Sequence, residues 1–148
     1  MISDKDSVDV NGVVARPSGG SCISYNIIYC FVCTICTKGY VGRSVQQLNE
    51  RLGQHRRNYY VMLKDIDNAL TGDLYRKDDE YSLGLPLIEH HSLCDRNSFE
   101  NSYIVFILDM CSPKNLEVNE HRFIHSLKTL QPHGLNAVDP FGIPLLKF

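Results

Sequence analysis

The chain lacks any long apolar run. No stretch approaches the roughly 20 residues that a bilayer-spanning helix needs. The first residues, Met1-Ile2-Ser3-Asp4-Lys5-Asp6, also lack the charged-then-apolar layout of a secretion signal. No membrane partner is expected, and an intracellular location follows, the nucleus if the source is eukaryotic. Neither sign of charge is in excess: 15 Lys and Arg stand against 17 Asp and Glu, a formal net charge of −2. Any surface that contacts phosphate must therefore be local. Cysteine is not scarce, with six at Cys22, Cys30, Cys33, Cys36, Cys94 and Cys111. Without a secretion signal, reduced thiols or a metal site are a better reading than three disulfides.

At 148 residues, with 43% hydrophobic and 22% charged content, the chain suits one globular domain and neither a disordered nor a fibrous protein. Residues 1–22 are polar and contain the breaker cluster Arg16-Pro17-Ser18-Gly19-Gly20, which predicts a flexible N-terminal arm ahead of a domain over 23–148. Tyr25 to Val32 is rich in β-branched and aromatic residues and reads as a strand buried on both faces. A short second strand is expected at Gly39-Tyr40-Val41-Gly42, joined to the first as a hairpin with a longer loop.

Ser44 followed by Gln47 is a capping-box pattern and predicts a helix from about Val45 to Lys64. Its apolar stripe is Leu48, Leu52, Tyr59 and Leu63, and Arg51 and His55 share a neighbouring face at i,i+4 spacing. Residues 65–85 read as a loop or a ragged helix, and Pro86 can open a short helix. Tyr103 to Leu108 is expected as a central strand, and Ser112-Pro113 as the N-cap and first position of a last helix running to about Leu130.

Glu120 lies within the inward stripe of that last helix, between Leu116 and Ile124. A carboxylate there is costly unless a cation or hydrogen bonds offset its desolvation. The ordinary reading is a bridge to an arginine such as Arg51; the chemical one is a metal ligand. Mg²⁺ keeps most of its waters and is held by one or two carboxylates plus substrate phosphate, so one Glu suffices for phosphodiester chemistry. Arg51 would then clamp a phosphate oxygen, and His55 or a strand tyrosine would serve the attacking water as base.

Ile27-Ile28-Tyr29, Tyr40-Val41-Gly42, Arg51, His55, Glu120 and Asn136 in Gly134-Leu135-Asn136 occur in the order of a known family, with the two tyrosines eleven positions apart. The chain resembles a GIY-YIG endonuclease domain over about 25–142, with Ile27 standing where the first motif has its leading Gly. The resemblance implies an α+β fold, a three-stranded antiparallel sheet flanked by helices, with Tyr29, Tyr40, Arg51, His55 and Glu120 meeting in one cleft. It also implies Mg²⁺- or Mn²⁺-dependent cleavage of DNA, Tyr29 or Tyr40 helping to activate or orient the water, with Asn136 fixing the terminal loop. Gly42 is expected to be structural.

A finer resemblance is to the nuclease domains of Penelope-like retroelements, and rests on Phe123-Ile124, on Leu127 to Asn136, and on cysteines between the two motif strands. That group implies a structural zinc site. Here Cys33-Thr34-Ile35-Cys36 has the two-residue gap that lets two thiolates reach one tetrahedral ion, and His90 with Cys94 would complete it, Cys30 or His91 being substitutes. Small buried thiols that bind nothing are the ordinary alternative. For DNA, Arg43, Arg56, Arg57 and Lys64 lie on or near the first helix and are expected to touch phosphates, whereas Arg122 and Lys128 read as a solvated face. The competing reading is a zinc-stabilised DNA-binding module of the same fold without turnover. Cutting both strands with one active site would need a dimer on DNA or two encounters.

Overall fold

A strand whose residues are apolar on both sides must lie in the middle of a sheet, and β3, Ile27–Cys33, does so: all seven of its residues are buried. The structure is a computed structural model that describes residues 3, 5–70, 85–94 and 98–137, with the backbone alone at 62–70, 85, 92–94 and 100. β3 pairs antiparallel with β4, Gly39–Ser44, on one side and with β5, Tyr103–Met110, on the other, giving the order β4-β3-β5. The register against β5 shifts between Ile28 and Tyr29, a bulge beside the first motif tyrosine. This is the α+β, three-stranded antiparallel domain that the sequence predicts.

Alternation along β3 builds two cores. Ile27, Tyr29, Phe31 and Cys33 face α1, Leu48–Leu70, α2, Leu85–Cys94, and the short α3, Phe99–Ser102, through Leu48, Tyr59, Leu87 and Phe99. Ile28, Cys30 and Val32 face the other way, toward Leu116, Ile124 and Leu127 of or beside α4, Leu116–Ser126. Among the described residues, no helix is long and apolar enough to cross a membrane.

Four expectations change. Residues 8–15 are not a loose polar arm: β1, Val8–Val10, and β2, Val13–Ala15, form a hairpin that buries Val8, Val10 and Ala15 against the α4-side core. The turn is Asn11-Gly12, both at positive φ, which is the pairing that a two-residue hairpin favours, and Val8-Asp9-Val10 alternates as a half-buried strand should. The overlooked signal was therefore in the sequence. The first helix begins at Leu48 rather than Val45, because its free donors are met differently. Leu48 and Asn49 give their N–H groups to the carbonyls of Ser24 and Cys22, while the Ser44 hydroxyl accepts from the Gln46 N–H inside its own turn.

That helix also continues to Leu70, through residues expected to be loop; 71–84 lie outside the described residues. The last helix is shorter than expected. Pro113–Asn115 forms a 3-10 turn, Ser112 makes no side-chain cap bond, and Lys128 at φ 54 ends the run soon after Ser126. From there the chain folds back, and Leu130 and Asn136 form a parallel bridge.

Gly134 closes that return. A Cβ there would collide with the backbone of Thr129, which cannot give way as a flexible side chain can. Gly53 on α1 is the opposite case, its added Cβ meeting only the tip of Arg57 at 3.6 Å. Gly134→Ala is expected to lower unfolding stability by about 2 kcal/mol or more, and Gly53→Ala to raise it by about 0.5–1 kcal/mol. Urea denaturation of the two variants checks both; loss of stability in Gly53→Ala, or none in Gly134→Ala, would contradict the packing described.

Candidate active site and metal cluster

Tyr29 points to the helical face of the sheet, directly opposite Gly42 in the cross-strand register. A side chain at position 42 would strike the Tyr29 ring and hydroxyl, so Gly42 makes room for that tyrosine. Two pairs further along, Phe31 faces Tyr40, which puts both tyrosines on the same face. His55 comes down on them from α1, with ring centres 5.8 Å from Tyr29, 5.0 Å from Phe31 and 6.1 Å from Tyr40. Its Nε2 shares a buried hydrogen bond of 2.9 Å with the Tyr29 hydroxyl.

Burial sets the protonation of this pair. It holds the Tyr29 phenol well above its usual pKa, with Tyr40 and Glu120 adding to the rise and Arg51 opposing it. Tyr40 is pushed up to about 12 by burial first and by the Glu120 charge second. His55 is pulled down to about 3 by burial and then by Arg51, so it is neutral near pH 7. Its Nδ1 is buried without a hydrogen-bond partner among the described residues, as is Nε of Arg51. Arg51 donates from its terminal nitrogen to Gln54 Oε1 at 3.1 Å. Tyr29 and Tyr40 thus lie within electrostatic reach of Arg51 and Glu120, and His55 within reach of Arg51.

Glu120 stands at the β4 edge of the sheet, its side chain 13% exposed, and accepts a 2.6 Å charged hydrogen bond from Arg43. The bridge to an arginine runs to Arg43 rather than to Arg51. Strand parity explains it: Val41 and Arg43 alternate with Tyr40 and Gly42, so Arg43 faces the α4 side, where Glu120 lies. That parity was readable in the sequence. Asn136 does what a fixing residue would do. Its side chain accepts from the Val41 N–H at 2.8 Å and donates to the Val41 carbonyl at 2.9 Å, closing the free edge of β4 beside Tyr40. Leu135 adds an N–H bond to the Gly39 carbonyl.

The cysteine cluster lies on the same face, at the far end of β3. Cys33, Cys36 and His90 could hold a metal ion: their ligand atoms all lie within 4.8 Å of one another, and Cys36 Sγ is 3.2 Å from His90 Nε2. The loop that presents both thiols turns at Thr37, φ 63, and is anchored by the Thr34 N–H and hydroxyl on the Ser102 carbonyl. Burial and the Lys38 charge lower the His90 pKa, which favours the neutral, ligating imidazole. Neither expected substitute reaches the cluster. Cys30 is on the opposite face of β3, and the His91 ring packs on Tyr59 and Phe99. The Cys94 side chain lies outside the described residues, as does that of Lys64.

Arg56 and Arg57 are exposed on α1, and Arg43, 41% exposed, spends its guanidinium on Glu120. Comparison with protein-family models, with curated proteins and with solved structures finds no match to this chain.

The buried neutral His55 has a measurable consequence. In the unfolded chain a histidine takes up a proton below about pH 6.5, whereas His55 in the fold resists protonation down to about 3. Stability from this group is therefore present above pH 6.5 and is lost as pH falls toward 3, at roughly 1 kcal/mol per pH unit. Urea unfolding between pH 7 and pH 4 is expected to show that slope, and His55→Gln to flatten it. Equal slopes for the two proteins would contradict the burial of the ring.

Proposed function

We propose that this protein is a divalent-metal-dependent DNA endonuclease of the GIY-YIG type that hydrolyses phosphodiester bonds. The observation that carries the reading is the buried Tyr29–His55 hydrogen bond beside Tyr40, under the electrostatic influence of Arg51 and of Glu120 from the α4 side of the sheet, at a strand edge braced by Asn136. A phenol hydrogen-bonded to a neutral imidazole can pass its proton to that imidazole when a water proton is taken up. Both groups are neutral at rest, and the low basicity of the buried imidazole makes that exchange depend on the charge that phosphate and cation would bring to the site. Tyr40 would orient the water, and Arg51, whose Nε has no partner among the described residues, would clamp a phosphate oxygen.

Glu120 supplies a hard oxygen ligand at a half-buried position, the donor chemistry that Mg²⁺ or Mn²⁺ accepts. Such an ion, when bound, stabilises charge on the transferring phosphoryl group and its leaving oxygen. Arg43 would exchange Glu120 for a phosphate oxygen as DNA arrives, with Arg56 and Arg57 adding salt-sensitive contacts. The soft Cys33, Cys36 and His90 set fits Zn²⁺ instead, as a structural staple between the hairpin and α2. The second reading, a DNA-binding module without turnover, draws on the Arg43–Glu120 pair, which occupies the carboxylate that catalysis needs.

Plasmid cleavage with Mg²⁺ or Mn²⁺ separates these readings. Wild type is expected to nick, and Glu120→Gln to lose at least a hundredfold in rate, or about 3 kcal/mol in the barrier, while still binding DNA. Equal nicking by both proteins would dismiss Glu120, and binding without cleavage by either would favour the silent module. For the cluster, protein purified without added metal is expected to carry about one equivalent of zinc. Less than half an equivalent, unaffected by Cys33→Ser, would sink the zinc assignment.

A further inference from the structure

On α4, one turn apart, half-buried His121 and exposed His125 bring their rings to a centre-to-centre distance of 4.5 Å at an interplanar angle of 59°. Residues at i and i+4 share one helix face, which is the spacing by which two histidines of a helix reach a single ion. The dimensions agree. Two imidazoles bound through nitrogens about 2.1 Å from one ion, at roughly 90–110° to each other, hold their ring centres roughly 4.5–5 Å apart. The rings are tilted rather than stacked flat.

We infer that His121 and His125 form a second transition-metal site, separate from the Cys33–Cys36–His90 cluster and from Glu120. Imidazole nitrogens are borderline-soft donors, so the ion is Zn²⁺, Ni²⁺ or Cu²⁺ rather than Mg²⁺ or Ca²⁺. Glu117, exposed one turn before His121, puts a carboxylate on the same helix face and favours a cation. Lys128 opposes it, since it lines with His125, Ile124, Leu130 and His133 a hollow at the end of the helix. With two side-chain ligands the remaining positions belong to water, so the site is open and its affinity is micromolar.

Isothermal titration of zinc-loaded protein with Ni²⁺ tests this, because Ni²⁺ is redox-inert under these conditions and prefers imidazole. Wild type is expected to bind one Ni²⁺ at micromolar affinity. His121→Gln and His125→Gln should each weaken it at least tenfold, and His133→Gln, an exposed histidine outside the pair, should leave it unchanged. His125 is exposed and His121 half-buried, and an unaltered circular dichroism spectrum confirms that the variants fold. Unchanged affinity in His121→Gln or His125→Gln overturns the two-ligand site, and so does loss of binding in His133→Gln, which would move the ion to the hollow that His133 lines with His125.

Discussion

Everything that makes this domain interesting hangs on the full burial of β3. A strand with no solvent face must divide its side chains strictly between two cores, and the parity of that division decides which groups meet. Tyr29, Phe31 and Cys33 fall on the side covered by α1 and α2, so the Tyr29–His55 pair and the Cys33–Cys36–His90 cluster are built on one surface. A slip of one residue would send Tyr29 against α4 and bring Cys30 to the helical face in place of Cys33. Gly42 reinforces the register from the neighbouring strand, because only there can the Tyr29 ring lie across β4.

The same face keeps two kinds of donor apart. At one end, burial holds Tyr29 and His55 neutral in a setting that also contains the charges of Arg51 and Glu120. At the other, two thiols and an imidazole offer soft ligands on a loop fastened to Ser102. Glu120, on the α4 side, and the thiols, on the α1 side, offer hard and soft ligands from opposite faces of the sheet and would not compete for the same ion. The β4 edge joins the two ends mechanically: Asn136 satisfies both polar groups of Val41, and Leu135 holds Gly39 close to the start of the strand.

Where sequence reasoning went astray, a longer-range partner had replaced a local one. Ser44 and Gln47 have the spacing of a capping box, yet the helix donors are met by carbonyls of Cys22 and Ser24, which no local pattern reveals. Ser112-Pro113 opens a 3-10 turn before the helix, and Lys128 ends that helix early because the chain must return to β4. The hairpin at residues 8–15 is a different kind of miss. Its Asn-Gly turn and alternating valines are local signals, legible in the sequence just ahead of the breaker cluster.

Local chemistry in the chain was enough to determine the three strands of the sheet, the first long helix with Arg51 and His55 on it, and the thiol pair at the hairpin, because period, composition and spacing are short-range properties. Contact between distant segments was settled only by the tertiary structure. It chose Arg43 over Arg51 as the partner of Glu120, His90 over Cys30 and His91 as the neighbour of the thiols, and Val41 as the group that Asn136 grips. Each choice follows from which face of the sheet a side chain occupies, and that is fixed by register and packing across the whole domain.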